Sequence, residues 1–215
     1  MKIVVVEDQS LFREFLEALV NEQYELVGSA EDGESALELI RRTCPDLVLL
    51  DLLIPKLSGI ELARELMTWQ PAPRILALSA ETDAKTLYDV SVLGLPGFID
   101  KKDTTIDVLK KAIQTVGRGQ RFISESVRQR LVTLRRDQNA FQKILSNREQ
   151  EILSLIGGGL LDADISEQLG ITVSSAQTHR ANILRKLELH STTELMRYAL
   201  EKGFWKTEYW EPANG

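Results

Sequence analysis

Along the first half of the chain, short apolar runs alternate with stretches whose apolar residues recur at helical spacing. Residues 2–6 and 26–30 read as strands, and residues 11–20 and 33–42 as helices. The run Leu47-Val48-Leu49-Leu50 is apolar on both faces, the pattern of a central parallel strand covered by helices on either side. Residues 60–69, 74–79, 84–93, 97–99 and 104–116 continue the alternation, giving five strands and five helices in strict succession. That order predicts a doubly wound α/β sheet with right-handed crossovers and a ligand crevice at the carboxyl ends of its strands.

Past Gly117-Arg118-Gly119 the pattern changes. A linker helix is expected over 124–136, with Val127, Leu131 and Leu134 at helical spacing, and Asp137-Gln138-Asn139 breaks it. From Leu145 onward no strand signal remains, and the spacing predicts four helices over 147–156, 163–169, 173–187 and 193–202. The expected organisation is thus an α/β domain at 1–118, a linker helix at 119–142, an all-α domain at 143–204 and a tail at 205–215 that holds Trp205 and Trp210.

Composition narrows the class. With 43% hydrophobic and 27% charged residues the 215-residue chain reads as soluble and globular, with room for two cores. No apolar run approaches the roughly 18 to 20 residues of a spanning helix, and the N-terminus turns acidic at Glu7 too soon for a signal peptide, so a cytoplasmic protein without a membrane partner is expected. The lone Cys44 excludes an internal disulfide and a multi-cysteine metal site. Residues 1–118 carry 13 basic and 20 acidic side chains, residues 119–140 carry 5 and 2, and residues 141–207 carry 8 and 8. An acidic front half suits a domain that holds a divalent cation.

The acidic residues are placed to do so. Glu7 and Asp8 follow the first expected strand and Asp51 ends the third, and the carboxyl ends of neighbouring parallel strands converge. Clustered carboxylates repel one another, and a hard cation such as Mg²⁺ (or Mn²⁺) relieves the repulsion. Ser79 closes the fourth apolar run and Lys101 follows the fifth, bringing a hydroxyl and an ammonium to the same crevice. A carboxylate nucleophile, a metal, a hydroxyl and a cation make a phosphoryl-transfer site. Any one of these residues alone reads as a solvated turn; five of them at matching strand ends do not. A haloacid-dehalogenase-type phosphatase needs a second Asp two residues after the nucleophile, where this chain has Leu53, and a dinucleotide or P-loop domain needs glycines where it has Glu7-Asp8-Gln9-Ser10-Leu11.

The stretches Val4-Val5-Val6-Glu7-Asp8, Leu49-Leu50-Asp51-Leu52-Leu53-Ile54-Pro55, Leu78-Ser79-Ala80 and Gly97-Phe98-Ile99-Asp100-Lys101 together resemble the receiver domain of response regulators, a flavodoxin-like fold. The resemblance implies that Asp51 accepts a phosphoryl group from a histidine kinase and that Glu7, Asp8, Asp51 and the backbone carbonyl of Leu53 hold the metal. It further implies that Lys101 and Ser79 bind the phosphoryl oxygens and that Ser79 and Phe98 form the switch. Glu7 replaces a more frequent Asp, and Phe98 lacks the hydroxyl of a more frequent Tyr. On its own, Phe98 reads as core.

In the second half, Gly170-Ile171-Thr172 separates two helices in the manner of a DNA-binding helix-turn-helix, with Gly170 ending the first helix and Thr172, or alternatively Ser174 with Gln177, capping the second. Ala176, His179, Ile183 and Leu187 form an inward stripe. Ser174, Ser175, Gln177, Thr178, Ala181, Asn182 and Arg185 lie on the other face, with Arg180 and Lys186 adding local positive charge. Residues 145–203 resemble the LuxR-type DNA-binding domain through Leu145-Ser146-Asn147-Arg148-Glu149-Gln150-Glu151-Ile152-Leu153, Ile165 to Ile171, and His179-Arg180-Ala181-Asn182-Ile183 with Lys186-Leu187 and Glu194-Leu195. Both halves together resemble the NarL/FixJ subfamily. This implies a transcription regulator rather than an enzyme, active as a phosphorylated homodimer on double-stranded DNA with inverted half-sites. It places dimer contacts on the last helix, at Glu194, Leu195, Tyr198 and Lys202, and on the first and fifth helices of the receiver. Arg148 and Glu151 would brace the domain, and His190 reads as a surface residue. Cations that the family often carries at the positions of Gln177, Ala163 and Thr192 are missing, so weaker or more dimer-dependent DNA binding is expected. The competing reading is a DNA-binding regulator that works without phosphorylation, under the control of a partner or of abundance.

Overall fold

The computed structural model describes residues 1–137 and 140–205. Two compact units emerge: Met1–Thr82 with Asp89–Leu131, and Asp83–Tyr88 with the chain from Val132 onward. Among the described residues, no helix is long and apolar enough to cross a membrane.

The first unit is built on a parallel sheet of β1 (Lys2–Val6), β2 (Glu25–Ala30), β3 (Leu47–Asp51), β4 (Arg74–Ser79), β5 (Gly97–Asp100) and β6 (Phe122–Ile123), in the order β2-β1-β3-β4-β5-β6. Helices α1 (Ser10–Asn21), α2 (Gly33–Thr43), α3 (Gly59–Leu66), α4 (Ala84–Leu93), α5 (Ile106–Gly117) and α6 (Glu125–Arg136) follow the strands in turn. All five residues of β3 are buried, as its two apolar faces require. Ile3, Leu16, Leu47, Leu49 and Leu76 are wholly buried in one core cluster, and each contributes about 1.5–3 kcal/mol by leaving water. The α/β reading therefore holds, with one addition. β6 pairs with β5 in the register Gly97↔Phe122 and Phe98↔Ile123. Two residues are too few to show a period, so the sequence reads this segment as linker.

Strand register positions the chemistry. Val6 lies beside Leu50, so the residues just past β1 meet Asp51 at the end of β3, and Ser79 lies beside Asp100 at the ends of β4 and β5. The segment after Asp51 is pinned by the start of α3, where Ser58 and Glu61 form a capping box. A Cβ on Gly59 would sit 2.6 Å from Leu52 Cα and collide with the Asp51 carbonyl, so only glycine allows this approach.

The second unit consists of the short α7 (Phe141–Ile144) and then α8 (Asn147–Gly157), α9 (Asp162–Leu169), α10 (Val173–Leu187) and α11 (Thr192–Lys202). The four longer helices match the expected set within two residues at each end; α7 is an addition of one turn. Ile152, Leu153, Ile165, Ile183 and Leu195 are wholly buried together, and Phe141 meets Phe204 edge-on at 4.7 Å. Trp205 lies against Gly157 and Gly158, where an added Cβ would come within 2.8 Å of it. Trp210 and the rest of the tail, and Gln138-Asn139 in the expected helix break, lie outside the described residues.

Candidate functional site

At the carboxyl ends of β1 and β3, Glu7, Asp8 and Asp51 each offer an oxygen, and these atoms lie within 4.8 Å of one another. Lys101 Nζ reaches Glu7 Oε2 at 2.7 Å and Asp51 Oδ2 at 2.5 Å, while the Leu53 amide donates to Asp51 Oδ1 at 2.9 Å. Lys101 sits 4.7 Å from the ring centroid of Phe12 on α1, close enough for the ring to favour its charge. Arg13, to which sequence reasoning gave no role, donates to the carbonyls of Glu7 and Asp8 at 2.7 and 3.2 Å and fixes the turn after β1.

The charge in this crevice is unbalanced. Burial and then the neighbouring Asp51 push Glu7 up to about 7, although Lys101 opposes both. Burial likewise raises Asp51 against the pull of Lys101 and of the Leu53 amide. Glu7 Oε1 is buried with no hydrogen-bond partner among the described residues. An arrangement of this kind can receive a hard cation and present a carboxylate to an electrophilic phosphorus.

Ser79 and Phe98 stand differently. The Ser79 hydroxyl donates to the Glu81 carbonyl at 2.7 Å and accepts from the Glu81 amide at 3.1 Å, so it is engaged with its own loop and not with Asp51. Phe98, the other expected switch residue, is wholly buried.

In the second unit, Gly170 takes the left-handed conformation at φ 62° to end α9, and Thr172 accepts from the Ser175 amide at 3.1 Å to cap α10, which decides between the two expected caps. Ala176 and Ile183 are buried, whereas His179 and Leu187 of the same expected stripe are half-buried. Ser174, Gln177, Thr178, Ala181 and Arg185 are exposed, and Ser175 and Asn182 are half-buried. The remaining two cations of the expected DNA-reading set are engaged inside the unit. Arg180 donates to Asp162 at 2.8 Å and Lys186 to Glu149 at 2.8 Å. Arg148 binds Glu151 at 2.7 Å and the Leu169 carbonyl at 3.1 Å, a bracing role as expected. His190 is exposed.

One expected dimer contact is corrected. Leu195 is 0% exposed and packs in the unit's own core, so its side chain cannot meet a second copy. Glu194 takes up the His190 amide at 2.7 Å, Lys202 lies 5.7 Å from the ring centroid of Tyr198, and Leu200, which sequence reasoning passed over, is exposed.

The family model for the response regulator receiver domain matches residues 3–114, and that for bacterial regulatory proteins of the luxR family matches residues 143–199. The chain belongs to the two-component response regulators of the NarL/FixJ type, transcription regulators that join a receiver to a luxR-family DNA-binding domain. Among similar proteins, the transcriptional regulatory protein MctR of Rhizobium johnstonii is 32% identical over 94% of each chain. The oxygen regulatory protein NreC of Staphylococcus carnosus is 33% identical over 94% of this chain and 98% of its own. A LuxR-family two-component response regulator from Aurantimonas is 29% identical with a TM-score of 0.58, covering 63% of this chain and 98% of that one. RcsB of Salmonella enterica serovar Typhimurium, solved bound to a promoter in the presence of phosphomimetic BeF3-, has a TM-score of 0.65 over 94% of this chain and 98% of its own. At 22% identity, RcsB speaks to the fold alone.

Proposed function

We propose that Asp51 is the phosphoacceptor of a receiver (1–118) that acts through a linker (119–142) on a DNA-binding domain (143–204), and that the protein works in the cytoplasm. The observation that carries this reading is the Lys101 ammonium bonded at once to Glu7 and Asp51 beside an unpartnered Glu7 oxygen. Magnesium or manganese fits the hard oxygen donors and surplus negative charge of this crevice. Glu7, Asp8, Asp51 and the Leu53 carbonyl would hold the cation, which would neutralise charge on the phosphoryl oxygens.

An oxygen of Asp51 attacks the phosphorus of a phosphohistidine on a histidine kinase. The phosphorus–nitrogen bond breaks, an acyl phosphate forms, and the histidine keeps the electron pair. Lys101 moves from paired carboxylates to the phosphoryl oxygens. Ser79 leaves Glu81 for the same oxygens, and Phe98 is held inside. Slow hydrolysis of the acyl phosphate resets the receiver, which catalyses nothing beyond its own phosphorylation and dephosphorylation.

In the phosphorylated state two copies pair, with Glu194, Tyr198 and Lys202 at the dimer contact, and bind inverted half-sites. Ser174, Ser175, Gln177, Thr178, Ala181, Asn182 and Arg185 face the major groove, while Arg180 and Lys186 hold α10 at the correct angle. The exposed polar face of α10 supports this assignment.

Selecting bound DNA from a random pool, with and without beryllofluoride, tests the whole reading. A palindrome that depends on beryllofluoride and is lost in Asp51→Asn is expected. Equal selection by wild type and Asp51→Asn would favour regulation without phosphorylation.

A further inference from the structure

The carboxylate of Asp100 is wholly buried at the end of β5, one residue before Lys101 and two after Phe98. Its oxygens are held from three directions. The Lys102 amide donates to Oδ1 at 2.9 Å, the Thr82 hydroxyl to Oδ2 at 3.4 Å, and Arg130 Nη1 to Oδ2 at 3.0 Å. Thr82 stands three residues past Ser79, and Arg130 belongs to α6 in the linker. Backbone bonds fasten the same segments together: the Ser124 amide donates to the Phe98 carbonyl at 3.0 Å, and the Asp100 amide to the Ser124 hydroxyl at 3.4 Å. All of these groups lie in the first unit.

Among the described residues, Arg130 is the cation paired with this carboxylate. Without it, a buried negative charge at the end of β5 would be left uncompensated and would add to the repulsion felt by an approaching phosphoryl anion. Arg130 is itself 46% exposed, so shortening it removes charge without opening a cavity in the core.

We infer that Arg130 is a positioning residue of the phosphoacceptor site: by neutralising Asp100 it fixes the end of β5 from which Lys101 extends, and it ties the linker helix to the phosphorylation state. The inference rests on Asp51 being the phosphoacceptor. Coupling of this kind is reciprocal for binding. If the grip of α6 on Asp100 strengthens the site's hold on a phosphoryl group, occupation of the site tightens that grip.

The test uses the full chain with Mg²⁺ and acetyl phosphate, with phosphorylation followed on phosphate-retarding gels. Arg130→Ala should lower the second-order rate constant by roughly twofold to fifteenfold, the scale of a unit charge acting over about 10 Å at effective dielectric constants of about 20 to 80. Arg130→Lys should retain most of the rate. In an Asp100→Asn background, Arg130→Ala should make little further difference, because the carboxylate it neutralises has gone. In the wild type, beryllofluoride should slow amide exchange in the first two turns of α6, and in Arg130→Ala it should not. A wild-type rate in Arg130→Ala, an undiminished loss in the Asp100→Asn background, or α6 exchange indifferent to beryllofluoride would each overturn the inference. A wild-type chain that takes no phosphoryl group at all would instead overturn the assignment of Asp51.

Discussion

Lys186, near the end of α10, donates to Glu149 Oε2 at 2.8 Å, and that same oxygen takes up the amide and the hydroxyl of Ser146 at the start of α8. A single buried carboxylate thus caps one helix and anchors α10, the second helix of the helix-turn-helix. Burial pushes Glu149 up, but the bonds from Lys186 and Ser146 prevail and hold it below the ordinary value of 4.5. Because the folded value lies below the unfolded one, this stabilisation is present above about pH 4.5 and is lost as pH falls through the folded value. Amide exchange in α10 should therefore accelerate on acidification below that point. Glu149→Gln should cost roughly 1–3 kcal/mol at neutral pH and should blunt the acid response.

Removal of divalent cations should abolish labelling by acetyl phosphate, and readdition of Mg²⁺ should restore it. A cation held by the folded crevice and not by the unfolded chain adds to stability, so Mg²⁺ at about a hundredfold its Kd is expected to stabilise the receiver by about 2.7 kcal/mol. Glu7→Gln should weaken both effects together. Thermal melts recorded across a magnesium series would show a shift in wild type and a smaller one in the variant.

Gly170 has open space around its missing Cβ, so the cost of substitution there is conformational. Gly170→Ala should destabilise the second unit by about 1–2 kcal/mol, and Gly170→Asn by less. A comparison of denaturation midpoints would decide this; an Ala variant as stable as wild type would mean that the turn relaxes.

Stability and DNA contact should separate on α10. Ile183→Ala, in the core, should cost about 2–5 kcal/mol. Asn182→Ala, on the outer face, should cost under about 0.5 kcal/mol yet weaken binding to a selected site. On the same face, Gln177→Lys should steepen the salt dependence of DNA binding by about one unit of slope and Arg185→Ala should flatten it by a similar amount, as measured by fluorescence anisotropy at several salt concentrations.

Much of this site was readable from the chain because parallel sheets send neighbouring strand ends to one edge. Leu47-Val48-Leu49-Leu50 marks the central strand, and from there Glu7, Asp8, Asp51 and Lys101 have to converge. What escaped was short or depended on partners far apart in the chain. β6 and α7 occupy two and four residues, less than either period needs to show itself. The Asp100–Arg130 pair joins residues 30 apart, and nothing local to either announces the other. On α11, Leu195 and Leu200 are equally apolar in sequence; which of them faces inward is decided by how the helix packs on α8, and the structure buries the first and exposes the second.

The pairing of β6 with β5 bears on where the receiver can be cut. The family profile ends at residue 114, before the strand that closes this side of the sheet. A polypeptide stopped there would leave the amides and carbonyls along Gly97 and Phe98 open to any passing strand, including that of its twin. The cover over this edge of β5 is thus supplied by residues outside the profile that defines the domain.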